Sequence, residues 1–228
     1  MKRIYVWVVL SCVVTSLFAA GNKPLVLTPT KDSFVRSNEQ IRNSGKSEAL
    51  YIAHRSNIRA LIAFDLSGIT NEITRATLRF HPHESRDEKI SMVIAPMVNT
   101  KNNVAWGEGR GNLGYRGQFA LDGESCFLFS KRGDPDIPWE SKTGRALKSA
   151  MESGLWMTPI SRLNGLKWDQ GSWVSVSILN LAVLEDIRTS DLRQITFGLW
   201  GVGGNGLYLI SSKESRWSPE LILELKEK

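Results

Sequence analysis

The sequence predicts an all-β fold, a jelly-roll-like antiparallel β-sandwich with one or two short helices and a long central loop region. Three observations lead there. Apolar residues fall in many short runs rather than in long helical stripes. Several runs alternate polar and apolar residues at period two, as strands with one buried face do. Turn-forming residues separate them, and the two stretches rich in helix formers do not alternate regularly with strands, which argues against a βαβ sheet.

The chain opens with an export signal. Lys2 and Arg3 precede an uncharged apolar run over 4–18, and Ala19, Ala20 and Gly21 offer small residues for cleavage. The run is shorter than the ~18–20 residues that favour a spanning helix. Residues 1–20 therefore read as a signal peptide and 21–228 as a single domain. The mature protein is expected to lack a transmembrane helix and to be secreted, periplasmic or at the cell surface. The alternatives are a lipid anchor on Cys12 and an uncleaved anchor.

Ser33-Phe34-Val35-Arg36 then alternates, and Leu50-Tyr51-Ile52-Ala53 is a short apolar run. The run over 59–66 is longer and ends in a Ser67-Gly68 turn, and 74–80 alternates as a half-buried strand should. Further strands are expected over 90–98, 173–178, 195–200, 207–210 and 221–225. Helix formers gather at 144–153 and 180–187. Between about 99 and 164 the chain is irregular and rich in Gly, charge and Trp; loops of that length in a compact domain are usually functional.

Composition narrows the chemistry. Once the signal is removed, Cys126 is the lone cysteine, so burial and backbone pairing must hold the fold without an internal disulfide. The formal charge of +6, or +4 without Lys2 and Arg3, suits an anionic polymer as well as plain solubility, and no nucleic-acid motif accompanies it. Gly201, Gly203 and Gly206 match a dinucleotide fingerprint by letter, as do Gly109, Gly111 and Gly114. The first precedes a strand and reads as a hairpin loop, and the second opens into more loop. His81 and His83 flank Pro82 at a strand end and read as exposed loop residues without a third metal ligand. Arg132-Gly133-Asp134 is a turn. Enzyme signatures such as a nucleophile elbow or a zinc-binding helix are missing; Glu108 with Asp122, or Tyr115 or Tyr208 with Arg or His, would have to meet in space to act as a hydrolase or lyase.

Three blocks of the chain resemble a known family. They are Lys31-Asp32-Ser33-Phe34-Val35-Arg36 with Gly45 and the run from Ser56 to Leu66; the strand Arg75-Ala76-Thr77-Leu78-Arg79-Phe80; and Ser211-Ser212-Lys213-Glu214-Ser215 with Pro219-Glu220-Leu221. In order and spacing they are similar to DNRLRE-domain proteins, the group that includes carbohydrate-binding module family 96; Trp106-Gly107-Glu108-Gly109, Trp139 and Gly144 resemble longer members. The chain departs from the pattern at Ser177-Ile178-Leu179, where members often carry an Asp. The resemblance implies a jelly roll that binds an acidic polysaccharide such as alginate, without catalysis and often beside an enzyme. It points to Lys31, Arg36, Arg42, Lys46, Arg55 and Arg59 as glycan contacts, whose forked or ammonium donors suit uronate carboxylates. Arg59, inside an apolar strand, could instead be buried and paired with Asp65. Of the Trp residues in the central loops (Trp106, Trp139, Trp156), Trp139 is the expected stacking surface if any is, and core packing competes for it; Trp168, Trp173 and Trp200 belong to the core or its edges. Asp32, Asp65 and Glu214, carboxylates within the resembling blocks, are the expected ligands of a structural Ca²⁺, with salt bridges to Arg as the competing role. The alternatives are an adhesive or structural envelope protein that binds a partner protein, and a polysaccharide lyase or hydrolase hidden in the central loops.

Overall fold

A computed structural model describes residues 23–54, 57–112, 114–203 and 206–227; the expected signal peptide, Cys12 and Arg55 lie outside the described residues. In chain order the strands are β1 (Leu25–Leu27), β2 (Lys31–Arg36), β3 (Arg42–Asn43), β4 (Ala49–Ala53), β5 (Ile58–Asp65), β6 (Ile73–Phe80), β7 (Arg86–Pro96), β8 (Gln118–Phe119), β9 (Phe129–Lys131), β10 (Ile137–Glu140), β11 (Ala146–Leu147), β12 (Ser161–Trp168), β13 (Val174–Ser177), β14 (Gln194–Gly201), β15 (Leu207–Ser211) and β16 (Glu220–Leu225). Helix α1 (Lys101–Val104) follows β7, and α2 (Ala182–Thr189) follows β13.

Two antiparallel sheets face each other, as the sequence predicts. One has the order β1-β16-β6-β13; the other runs β12-β7-β14-β5-β4-β15, with β2 also paired to β5. The main core lies between them. Leu78 and Phe80 of β6, Val174 and Val176 of β13, and Leu221 and Leu223 of β16 meet Ala60, Ile62 and Phe64 of β5 and Ile195, Phe197 and Leu199 of β14. Strand periodicity sends the alternate residues Leu61 and Ala63 of β5, and Val35 of β2, to the outer face of the larger sheet. A second core covers them there, built from Met97, Trp106, Phe127, Trp139, Leu147 and Leu155. Double-sided burial explains why β5 reads as a nearly unbroken apolar run.

The cover is the stretch expected to be loop. It holds the short sheet β11-β10-β9 and strand β8, which pairs with β3 from the N-terminal part of the chain, and β12 adds eight residues to the edge of the larger sheet. Its indole N–H groups are satisfied: Trp106 donates to Thr196 Oγ1 at 3.1 Å, Trp139 to the Cys126 carbonyl at 3.2 Å and Trp156 to the Ala150 carbonyl at 3.0 Å. Trp156 lies flat on β14 because Gly198 leaves room; a Cβ there would sit 2.1 Å from the ring.

Three local expectations need correction. The helix formers at 144–153 do not form a helix: Gly144 takes φ +76°, Leu147 pairs with Trp139 across β10 and β11, and Leu147 and Ala150 are buried in the second core. Tertiary burial outweighs helix propensity there. The glycines after β14 do not close a hairpin, since β14 pairs with β5 and β7 while β15 pairs with β4. His81 is buried rather than exposed, because Pro82 bridges Ile210 and draws the β6–β7 connection over the edge of the larger sheet.

Replacing Gly198 with Ala should overpack this contact and lower unfolding free energy by about 1–3 kcal/mol in denaturant melts. An unchanged midpoint would mean that Trp156 does not rest on β14.

Candidate functional site

At one end of the sandwich, three connections converge: 81–85 after β6, 169–173 before β13 and 212–219 before β16. Strand pairing brings them together. Phe80 opposes Val174 and Arg79 opposes Glu220, so these ends share one rim. Polar contacts fix the loops to one another. Gln170 donates its side-chain amide to the His83 carbonyl at 2.8 Å and its backbone N–H to Ser85 Oγ at 3.0 Å. In the third loop, Ser212 and Ser215 cap the turn, with Glu214 N–H donating to Ser212 Oγ at 3.1 Å and Ser215 Oγ to the Ser212 carbonyl at 2.9 Å.

The rim carries an aromatic shelf. The Trp217 ring stacks on His81 at 5.1 Å and 11°, and Trp173 meets both edge-on, at 5.6 Å from His81 and 6.2 Å from Trp217. Arg79 lies 4.5 Å over Trp173 and is held by an ion pair with Glu220. Trp217 nonetheless remains 40 % exposed, so one part of its ring is open to the solvent. A cleft of about 520 Å³ opens beside the shelf, lined by His81, Ser85, Gln170, Trp173, Arg216 and Trp217. It continues past His83 and Glu48 through a space of about 270 Å³, and then to Lys46 and Asn112 through one of about 390 Å³. Arg216 lies 4.9 Å over Trp217 and makes no ion pair among the described residues. An elongated surface groove with an apolar platform and scattered hydrogen-bonding groups suits a linear polyhydroxylated ligand.

Beneath the groove sits a charged hub. Asp32 of β2 is fully buried; its Oδ2 accepts the Lys213 backbone N–H at 2.5 Å, and its own N–H donates to Glu108 Oε1 at 2.9 Å. Lys213 Nζ lies 3.1 Å from Glu108 and 2.6 Å from Glu214, and Lys46 Nζ lies 2.7 Å from Glu214 and 3.8 Å from Glu108. Gly45 permits this closeness, since a Cβ there would lie 2.1 Å from the Glu108 carbonyl oxygen. Burial lifts the Asp32 carboxyl to about pH 7; Glu108 and Glu214 add to the rise, while Lys213 opposes it. Burial alone would lower Lys213, but its bonds to Glu214 and Glu108 hold it above the usual lysine value.

The residues singled out in the sequence are dispersed. Lys31 is half-buried, with Nζ 2.9 Å from the carbonyls of both Val104 and Trp106 and 4.8 Å over the Trp106 ring; burial and the Lys131 charge bring it down to about 8, against a rise from Glu108. Arg36 is buried, donating to the Arg116 carbonyl at 3.0 Å and lying 3.3 Å from Glu39. Arg42 shares Glu39 at 3.0 Å, donates to the Gly117 carbonyl at 3.3 Å and covers Phe119. Arg59 is buried against Trp156 and Trp200 rather than paired with Asp65. Trp139 is wholly buried. Only Lys46, of the described members of that set, lines the groove. Asp32 and Glu214 meet at the hub, where Lys46 and Lys213 supply positive charge. Asp65 instead caps a turn, accepting from Ser67 N–H and Oγ at 2.8 Å each. No three His, Cys, Asp or Glu side chains among the described residues converge as a metal site.

The shelf residues escaped the sequence reading for identifiable reasons. Trp217 lies between the two parts of the third resembling block, but a tryptophan near a strand has the pattern of a core residue. Trp173 reads as core by the same logic and is only half-buried. Pro82 between two histidines marks the edge but not the stacking partner.

Comparison with known proteins bears on the first half of this arrangement. Residues 23–109 match the model of carbohydrate-binding module family 96, so the first part of the sandwich is similar to that family. The match includes the hub residues Asp32, Lys46 and Glu108 and the groove residues His81 and His83; Trp173, Arg216 and Trp217 lie beyond it. No curated protein matches the chain. Among the described residues, no helix is long and apolar enough to cross a membrane.

Asp32 gives the hub a pH signature. Its folded pKa lies above the ordinary 3.8, so the native state holds an extra proton between about pH 4 and 7, and the group's contribution to stability falls as pH rises through that window. Unfolding melts at pH 4.5 and 7.5 should show wild type losing stability relative to Asp32→Asn, on the order of a few kcal/mol. A difference that stays constant with pH would remove the buried proton site.

Proposed function

We propose that the chain is a non-catalytic carbohydrate-binding module, exported by its signal peptide, that holds an acidic polysaccharide along the groove from Trp173 and Trp217 to Lys46. The observation that carries this reading is Trp217, an exposed indole fixed by stacking on His81 at the mouth of a long polar groove. A sugar ring has an apolar C–H face and a hydroxyl rim; the first suits the shelf, and the second suits Gln170, Ser85, His83 and Glu48.

Support for an acidic ligand comes from Arg216 and Lys46 at the two parts of the groove, together with the net charge of +4 that remains without Lys2 and Arg3. Magnitude sets their role. An exposed ion pair contributes ~0.2–1 kcal/mol, whereas micromolar binding requires about 8 kcal/mol. Charge therefore selects among ligands, and stacking with hydrogen bonds along several sugar residues supplies most of the affinity. The side chains along the groove are suited to stacking, hydrogen bonding and charge pairing, which favours retention over turnover. Exposed Ile41, Phe119 and Leu121, neighbours through the β3–β8 pair, favour a second reading in which the module docks on an envelope or enzyme partner.

Affinity electrophoresis and calorimetry against acidic and neutral polysaccharides test the proposal. Trp217→Ala should weaken binding at least tenfold, about 1.4 kcal/mol, with little change in melting temperature. Arg216→Ala should weaken acidic ligands alone, in a salt-sensitive way. Binding to none of the polymers would overturn the reading, and a falling polymer length would reveal an enzyme.

A further inference from the structure

The second core holds a cation that pairs with no carboxylate among the described residues. Arg59 leaves β5 on the outer face, is only 8 % exposed, and places its guanidinium 4.3 Å from the centre of the Trp200 ring and 5.0 Å from that of Trp156. Nη1 donates to the Ala150 carbonyl at 3.3 Å, while Nε is buried with no partner. The guanidinium's described partners are the two indoles and that carbonyl. Desolvation lowers its pKa to about 10, so it stays charged at neutral pH. Burying such a charge without a counter-charge is unfavourable, and two indoles with one carbonyl compensate only in part.

Beside the guanidinium is a cavity of about 180 Å³, lined by Ala53, His54, Asn57, Met151, Trp200 and Gly201 together with Arg59. A cavity of roughly 150 Å³ accommodates one six-membered ring. Exposed His54 and Asn57 stand at its rim with hydrogen-bonding side chains. Ala53 and Ala49 are opposite ends of β4, so the cavity lies on the order of 13 Å along the strand from the groove.

We propose that the Arg59 cavity is a second subsite, separate from the groove, that takes a single uronic acid residue, as a chain end or as the free sugar. The inference rests on reading the chain as carbohydrate-binding. The guanidinium provides forked donors for a planar carboxylate, Trp200 provides a surface for the sugar ring, and His54 and Asn57 reach its hydroxyls. The cavity's size admits one residue rather than a continuing chain.

The test uses the mature full chain, with tryptophan fluorescence and thermal shift as readouts. Glucuronic and galacturonic acids, short oligouronates, glucose and acetate are the probes. Uronates should quench fluorescence and raise the melting temperature, glucose should do neither, and acetate should act only at much higher concentration. Arg59→Met, which keeps bulk and removes charge, should weaken the uronate response at least tenfold while leaving polymer binding at the groove in place. Because that variant could fail to fold, His54→Ala at the exposed rim should weaken the response severalfold in a folded protein. Trp217→Ala should weaken polymer binding at least tenfold and leave the uronate response. Tighter binding of oligouronates than of the monosaccharide would identify the chain end as ligand, and the reverse would identify the free acid. An undiminished response in Arg59→Met, an equal response to glucose, or loss of both responses in Trp217→Ala would overturn the second subsite. Uronate binding without any polymer binding would instead remove the groove and leave the subsite standing.

Discussion

The structure depends on burial of the larger sheet on both of its faces. Strand β5 is the centre of that constraint. Ala60, Ile62 and Phe64 point into the sandwich, while Leu61 and Ala63 point into the covering layer. A two-layer sandwich would leave that outer face wet, so the inserted segment from α1 to Leu155 is part of the fold rather than an ornament on it. It also explains how the described residues, whose cysteine Cys126 is buried and free, hold together without a disulfide.

The same constraint separates two kinds of basic residue. Lys31 and Arg59 lie on strands whose outer face is covered, so they are drawn against Trp106 or against Trp156 and Trp200. Arg36 and Arg42 converge on Glu39 and on the backbone of 116–117, where they brace a loop. Lys46 stands on a turn outside the sheet and keeps its ammonium at the surface. Position relative to the covering layer, more than residue type, decides which cation reaches the groove.

Much of the sandwich was legible because its strands obey a local rule. The alternation over 74–80 and the apolar run of β5 both survive as strands, and the helix expected over 180–187 appears as α2 with Leu184 and Ile187 buried. The covering layer was not legible. Its strands are two to four residues long apart from β12, too short to show a period, and Gly165 at φ +64° interrupts β12 itself. The groove was hidden for another reason. His81, Trp173 and Trp217 are distant in sequence and meet only because β6, β13 and β16 are neighbours. The hub was half legible: Asp32 and Glu214 stand out as carboxylates, but Lys46 and Lys213, which bridge Glu214 and Glu108, carry no mark of that role in the sequence.

The attachment of the 212–219 loop has a consequence for how such a module can diversify. Its anchor is backbone: the Lys213 N–H is gripped by buried Asp32, and Ser212 and Ser215 close the turn. Arg216 and Trp217 come just after that grip and add little to either core. Substitution at these two places can therefore alter what the surface recognises while the scaffold keeps its shape, as an interchangeable tool head does on a fixed handle.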